Sequence, residues 1–269
     1  MTHSSFFSNK VVWITGASSG IGKELAIQLA KQNATLILSS RRESTLLEVK
    51  ALLVSAEKHS VIPLDLSESE SFEAIVEKAY SIYGKIDFLI NNGGISQRSL
   101  CLETSEAVDR RVMEVDYFGT IKLTKMVAAK MVAERQGSIV SISSVAGKVG
   151  SPYRSAYSGA KHALIGFMDC LRAEIAQFGV KIQVICPGWI QTDISRNALI
   201  GDMSKFGKLD QEIAKGMPVE EFVVKLIKVI KSGKEEAVIA SGMPLLASYL
   251  RRLMPNKFHK IIRKIYKKK

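Results

Sequence analysis

Tyr157 and Lys161 stand four residues apart in a stretch with helical spacing, so their side chains share one face of a helix. A free tyrosine titrates near 10 and is a poor base at neutral pH, but an ammonium beside it favours the phenolate. Bringing a phenol to neutrality takes about three pH units, or roughly 4 kcal/mol of differential stabilisation. Such a pair suits proton transfer. The phenol gives its proton to a carbonyl oxygen during reduction and takes one back during oxidation. Upstream, Ser143 and Ser144 end an apolar run. A serine hydroxyl there can hold the same oxygen near the phenol, and the two serines point to opposite sides of an extended chain.

A second constellation is built for anions. The run Thr15-Gly16-Ala17-Ser18-Ser19-Gly20-Ile21-Gly22 follows a short apolar stretch and opens a helical one. Glycines permit a tight turn and close approach of backbone to a pyrophosphate. The helix N-terminus adds free N–H groups and a partial positive charge. Strand, glycine turn and helix in that order are what a dinucleotide site requires. The spacing is G-x-x-x-G-x-G, not the commoner G-x-G-x-x-G. The second apolar stretch ends Leu38-Ser39-Ser40-Arg41-Arg42, without an acid. An acid there would bond a ribose 2′-hydroxyl and repel a 2′-phosphate, whereas a guanidinium suits the phosphate. NADP(H) is therefore expected over NAD(H), with Arg41 the first contact and Arg42 and Ser40 assisting.

Positioning these residues takes alternating strands and helices. Apolar runs at Val11–Thr15, Thr35–Ser39, Val61–Leu64, Ile86–Asn91, Ser138–Ser143, Lys181–Cys186 and Ala237–Ala240 read as strands. Helical spacing fills 22–31, 43–57, 68–83, 105–135, 154–178 and 219–231. Apolar strands separated by helices predict a parallel sheet covered on both faces. Right-handed crossovers make it a doubly wound, Rossmann-type α/β sheet in a single domain. The catalytic domain is expected over 1–250, with a substrate loop at about 194–216, and a basic amphipathic tail over 251–269.

The ordered motifs resemble the short-chain dehydrogenase/reductase family over about residues 10 to 195. They are the Thr-led glycine turn, Asn91-Asn92-Gly93-Gly94 (with Gly where the family has Ala), Ser144, Tyr157-Ser158-Gly159-Ala160-Lys161, and Pro187-Gly188 with Thr192 beyond. The resemblance implies a cofactor held by Gly16, Ser18, Ser19, Gly20, Ile21 and Gly22, and by Asp65 and Leu66 after the third strand. It adds Asn92, Gly93 and Gly94, then Pro187, Gly188, Ile190 and Thr192. The family spacing selects Ser144 over Ser143 as the substrate-oxygen ligand. It implies that Lys161 also binds the nicotinamide ribose, that Thr192 contacts the carboxamide, and that Asn91 shapes the cofactor floor. Asp116 stands where family members often have Asn. It is taken as a fourth catalytic member whose carboxylate would favour protonated Lys161 and alter the proton relay.

The chain has 269 residues and a net charge of +12, but nine Lys and Arg and no acid lie between Arg251 and Lys269. The body is thus nearly balanced, which argues against nucleic-acid binding. No run is long enough to span a bilayer. The opening residues lack the pattern of a secretory signal. Three scattered cysteines and four scattered histidines (His3, His59, His162, His259) predict no disulfide framework and no metal site. A cytoplasmic oxidoreductase of a carbonyl or secondary alcohol is expected, as a homodimer or homotetramer. Its substrate is small and of lipophilic character, and the basic tail gives weak peripheral membrane contact. The alternative is a cofactor-binding regulatory or membrane-peripheral protein with little turnover, towards which Asp116 alone leans.

Overall fold

The computed structural model describes residues 5–267, and their side chains apart from those at 265 and 267. His3, Lys268 and Lys269 and the side chain of Ile265, all part of the sequence reading, lie outside the described residues. In chain order the elements are β1 (Val11–Thr15), α1 (Gly20–Ala30), β2 (Thr35–Ser39), α2 (Glu43–Ala51), β3 (Ser60–Val61) and α3 (Phe72–Tyr83). Next come β4 (Phe88–Asn91), α4 (Glu106–Met113), a π turn (Glu114–Gly119), α5 (Thr120–Ala133), β5 (Gly137–Ile142) and α6 (Ser155–Ile175). The chain continues through β6 (Val180–Pro187), α7 (Gln211–Ala214), α8 (Val219–Ser232), β7 (Glu236–Ile239), α9 (Met243–Leu253) and α10 (Pro255–Lys267).

The seven strands form one sheet in the order β3-β2-β1-β4-β5-β6-β7, and every pairing is parallel. Side chains alternate across the sheet. Val12, Ile14, Leu36 and Leu38 face α1, α2 and α8, while Val11, Trp13, Ile37 and Leu89 face α3, α5 and α6. Both faces are covered, so the strands are apolar on both sides, as the sequence predicts. Strand order reverses between β1 and β4, and a cleft at that switch point is where α/β sheets bind ligands.

Three local differences have physical causes. The helix expected over 43–57 ends at Ala51, and Ser55 then takes a left-handed φ of 57°. This turn buries His59, whose Nδ1 accepts from the Leu36 amide at 3.1 Å. The strand expected to reach Leu64 is reduced to Ser60–Val61. Pro63 lacks an N–H, although the Ile62 and Leu64 amides still bond the Leu38 and Ser40 carbonyls at 3.0 and 2.9 Å. The helix expected over 105–135 is interrupted by the π turn, an insertion common at functional sites. Gly119 closes it, because a Cβ there would lie 1.8 Å from the Leu66 carbonyl oxygen.

Candidate active site

The carboxyl ends of the strands open into a cleft of about 1130 Å³. Its anion end is made by the turn between β1 and α1. Gly16 and Gly20 have φ of +64° and +51°, where side chains strain the backbone. A Cβ on Gly16 would also sit 2.7 Å from Gly93 Cα. Thr15 ties the turn to β4: its Oγ1 accepts the Asn92 and Gly93 amides at 3.0 and 2.9 Å. The Asn92 side chain donates to the Thr15 and Gly16 carbonyls at 3.1 and 3.2 Å. Ser19 enters α1 in extended conformation and makes no side-chain cap bond. Gly16, Ser18, Ser19, Gly20 and Ile21 line the cleft, as do Asn92, Gly93 and Gly94. Gly22 lies behind the turn, where a Cβ would come within 2.3 Å of the Gly16 carbonyl oxygen. Its work is to let helix and turn approach.

The next wall carries Ser40, Arg41, Arg42, Asp65 and Leu66. Both arginines are exposed, while the Ser40 hydroxyl is buried without a hydrogen-bond partner. Burial would raise the Asp65 carboxyl, but two hydrogen bonds from Ser67 and the guanidiniums of Arg111 and Arg41 outweigh it and hold it low. Arg111, on α4, lies 3.9 Å from that carboxylate and also faces the cleft.

On the far side, Tyr157 and Lys161 project from α6 into the cleft, with the ammonium 5.7 Å from the centre of the Tyr157 ring. Lys161 and Asp116 are buried and form an ion pair at 3.2 Å. The Asp116 Oδ1 accepts from the Ile95 amide at 2.7 Å, and the ammonium donates to the Ile142 carbonyl at 3.4 Å. Burial alone would lower the Lys161 ammonium, but the carboxylate beside it, with Tyr157, raises it above its ordinary value. Gly94 keeps this pair open to the cleft, since a Cβ would stand 3.2 Å from both Asp116 oxygens and 3.3 Å from Lys161 Nζ. The two serines separate by orientation. Ser143 Oγ donates to the Lys161 carbonyl at 3.2 Å within the protein. Both serines border the cleft, but Ser143 is buried with its proton engaged, whereas Ser144 is half-buried and its Oγ accepts from the Ala146 amide at 3.1 Å, which leaves its proton to give.

With this geometry in view, the comparisons with known proteins are specific. The family model described as short chain dehydrogenase matches residues 10–201. The chain belongs to the short-chain dehydrogenase/reductase family. It is 38% identical over 265 residues to dehydrogenase/reductase SDR family member 7B from Bos taurus, covering 96% of this chain and 82% of that protein. Among solved structures, a short-chain dehydrogenase from Streptomyces avermitilis superposes with a TM-score of 0.81 at 27% identity, over 98% of this chain and 99% of that one. ElxO with NADP bound has a TM-score of 0.72 at 26% identity, over 86% of this chain and 97% of its own. A fold neighbour from Burkholderia phymatum, at 22% identity and a TM-score of 0.81 over 91% of this chain and 94% of its own, was solved with NAD. The protein is thus an oxidoreductase of a family that moves hydride to and from a nicotinamide cofactor.

Pro187, Gly188, Ile190 and Thr192 line the same cleft, and Thr192 packs on Gly20, where a Cβ would meet its Cγ2 at 3.1 Å. Asn91 points under the floor, donating to Thr124 and Ser141 at 2.8 and 3.2 Å. Several cleft residues carry no readable motif: Arg111, Arg98, Arg154 and Asp210. Asp210 accepts from Arg98, and from Arg154 at 3.4 Å. Arg154 also donates to Ser96 Oγ at 2.6 Å. Arg98 lies over the Tyr153 and Phe206 rings, 5.6 and 5.0 Å from their centres. This cluster clasps the segment after β6 to the start of α6. The basic, amphipathic end of the chain also reaches the cleft. Pro244 and Ala247 of α9 and Phe258 and Ile262 of α10 form an apolar wall of the cleft, and α9 runs without a break across the boundary expected at residue 250.

Proposed function

We propose that the protein interconverts a carbonyl and a secondary alcohol with NADP(H), using Tyr157 as general acid and base. The observation that carries this reading is the Tyr157 and Lys161 face of α6 opening on the same cleft as the glycine turn and Ser144. The residues present fit a dinucleotide. Positive-φ glycines form a cradle, and a buried, unpartnered Ser40 hydroxyl stands between Ser39 and Arg41. Gly16, Ser18, Ser19, Gly20 and Ile21 would take the pyrophosphate, with Gly22 allowing the turn behind them. Ser40, Arg41 and Arg42 would take the 2′-phosphate, and Asp65 and Leu66 the adenine. Asn92, Gly93, Gly94, Pro187, Gly188, Ile190 and Thr192 would hold the nicotinamide half, with Lys161 on its ribose.

When bound, the cofactor supplies or accepts the hydride. Ser144 donates to the substrate oxygen and holds it for Tyr157. In reduction Tyr157 gives that oxygen a proton, and in oxidation it takes one back. Lys161, kept protonated by Asp116, favours negative charge on the nearby phenol oxygen. The apolar wall of Val145, Val149, Pro244, Ala247, Phe258 and Ile262 supports a lipophilic substrate.

The assembly in this reading is a homodimer or homotetramer through the outer faces of α4, α5 and α6, where Phe118 is half exposed. Among the described residues no helix is long and apolar enough to cross a membrane. A cytoplasmic location with weak peripheral contact of the basic tail completes the proposal.

The test is a screen of ketones, aldehydes and alcohols with NADPH and NADH in parallel, repeated with Arg41→Ala. NADPH should be preferred. Loss of a charged hydrogen-bond partner should raise its KM roughly tenfold to a hundredfold, with little change for NADH. An unchanged NADPH KM would reject the 2′-phosphate assignment.

A further inference from the structure

The last two helices separate their apolar residues by face. In α10, Phe258 is buried against Val145 and Val149, and Ile262 packs on the same cluster. In α9, Met243, Pro244 and Ala247 line the cleft. The opposite side of α9 is different. Leu246, Tyr249 and Leu253 recur at helical spacing on one face, and each is between 56% and 72% exposed. Met254, at the joint with α10, extends this stripe.

Large apolar side chains at that spacing ordinarily mark the face a helix buries, and a contiguous exposed patch marks an interaction site. Charge identifies the partner. No acidic residue follows Glu236, and Arg252 of α9 and Lys257, Lys260, Arg263 and Lys264 of α10 are all exposed. An apolar face on a helix pair that carries cations and no acid complements an anionic bilayer surface, which offers an acyl boundary to the one and phosphate and carboxylate headgroups to the other.

We propose that α9 is a membrane-docking helix. Leu246, Tyr249 and Leu253 enter the headgroup–acyl boundary of an anionic bilayer, and the cleft draws its lipophilic substrate from that bilayer past Met243, Pro244 and Ala247. The contact expected of the terminal residues thus moves to α9, because the apolar face of α10 is used as cleft wall. The docking face stands independently, whereas the entry route rests on the oxidoreductase reading.

The experiment is co-sedimentation of the full chain with phosphatidylcholine vesicles, with and without phosphatidylserine, comparing wild type with Leu246→Asp/Leu253→Asp. Wild type should pellet with the phosphatidylserine vesicles, less so at high salt, and the variant should bind at least about tenfold more weakly. NADPH binding should be unchanged, since neither leucine lines the cleft. Equal vesicle binding by both proteins would overturn the docking face. So would light scattering showing that the variant only splits a wild-type oligomer while wild type ignores vesicles, which would make the stripe a contact between copies. Turnover of a soluble ketone and of a long-chain ketone dissolved in the vesicles separates the two claims. The variant should lose turnover of the vesicle-borne ketone alone. Equal turnover of that ketone by both proteins would overturn the entry route. No turnover by either protein, with vesicle binding intact, would remove the oxidoreductase reading and the entry route and leave the docking face.

Discussion

The single residue that most distinguishes this site is Asp116. Its carboxylate meets the Lys161 ammonium at 3.2 Å in a fully buried setting. The sequence shows that an acid stands at this position, but not that it touches the lysine. The contact arises because the π turn carries Asp116 to the Ile95 amide and Gly94 leaves it room. The sign of the effect follows from burial lowering Lys161 and the carboxylate more than reversing it. A raised lysine contributes stability that is fully present below 10.5 and is lost as pH rises beyond it. Asp116→Asn should therefore move the alkaline limb of kcat/KM to lower pH while cofactor still binds. A limb that stays in place would show that the carboxylate does not govern the lysine. The serine choice also became physical at this scale: Ser143 gives its proton to the α6 backbone, and Ser144 only accepts within the protein and keeps its proton for the cleft.

Among elements, the central strands such as β1, β2 and β5 were legible because they are short runs buried on both faces. The glycine turn was legible because its residue types answer backbone requirements that few other residues meet. The π turn was not, since its residues continue a helical pattern and only the approach of Gly119 to Leu66 reveals it. Nor was the clasp of Arg98, Arg154 and Asp210, whose members are distant in the chain and unmarked by spacing. The clasp joins the segment that begins α7 to the residue capping α6, three positions before Tyr157. Removing the shared carboxylate leaves two guanidiniums without it. Asp210→Ala should cost about 3 kcal/mol in chemical denaturation. It should raise the carbonyl KM well before the cofactor KM. A variant as stable as wild type, or one weakened only towards cofactor, would show that the clasp does not position the substrate side.

For the whole molecule, the doubly wound sheet fixes where the cleft must open, and α9 and α10 close its apolar side. Stability also has a readable pH dependence. His59 is buried at the edge of the sheet, where burial lowers its pKa from 6.5. Its Nδ1 accepts from Leu36, so Nε2 donates to the Val54 carbonyl at 3.0 Å and the ring is neutral. The unfolded chain takes a proton below 6.5 that the folded chain resists. Stability from this group is present above that pH and is lost as pH falls through the folded value. Melting temperature should fall between about pH 7 and 5, and less steeply in His59→Gln. Parallel slopes would exclude the histidine as a source.

The central claim is that Tyr157 moves the proton in a reaction that oxidises NADPH. The most direct measurement is NADPH oxidation with a carbonyl substrate from the screen, comparing wild type with Tyr157→Phe after each is shown to bind cofactor equally. The account expects kcat to fall roughly a hundredfold to ten-thousandfold with the fold intact. A Tyr157→Phe variant that oxidises NADPH as fast as wild type would contradict it.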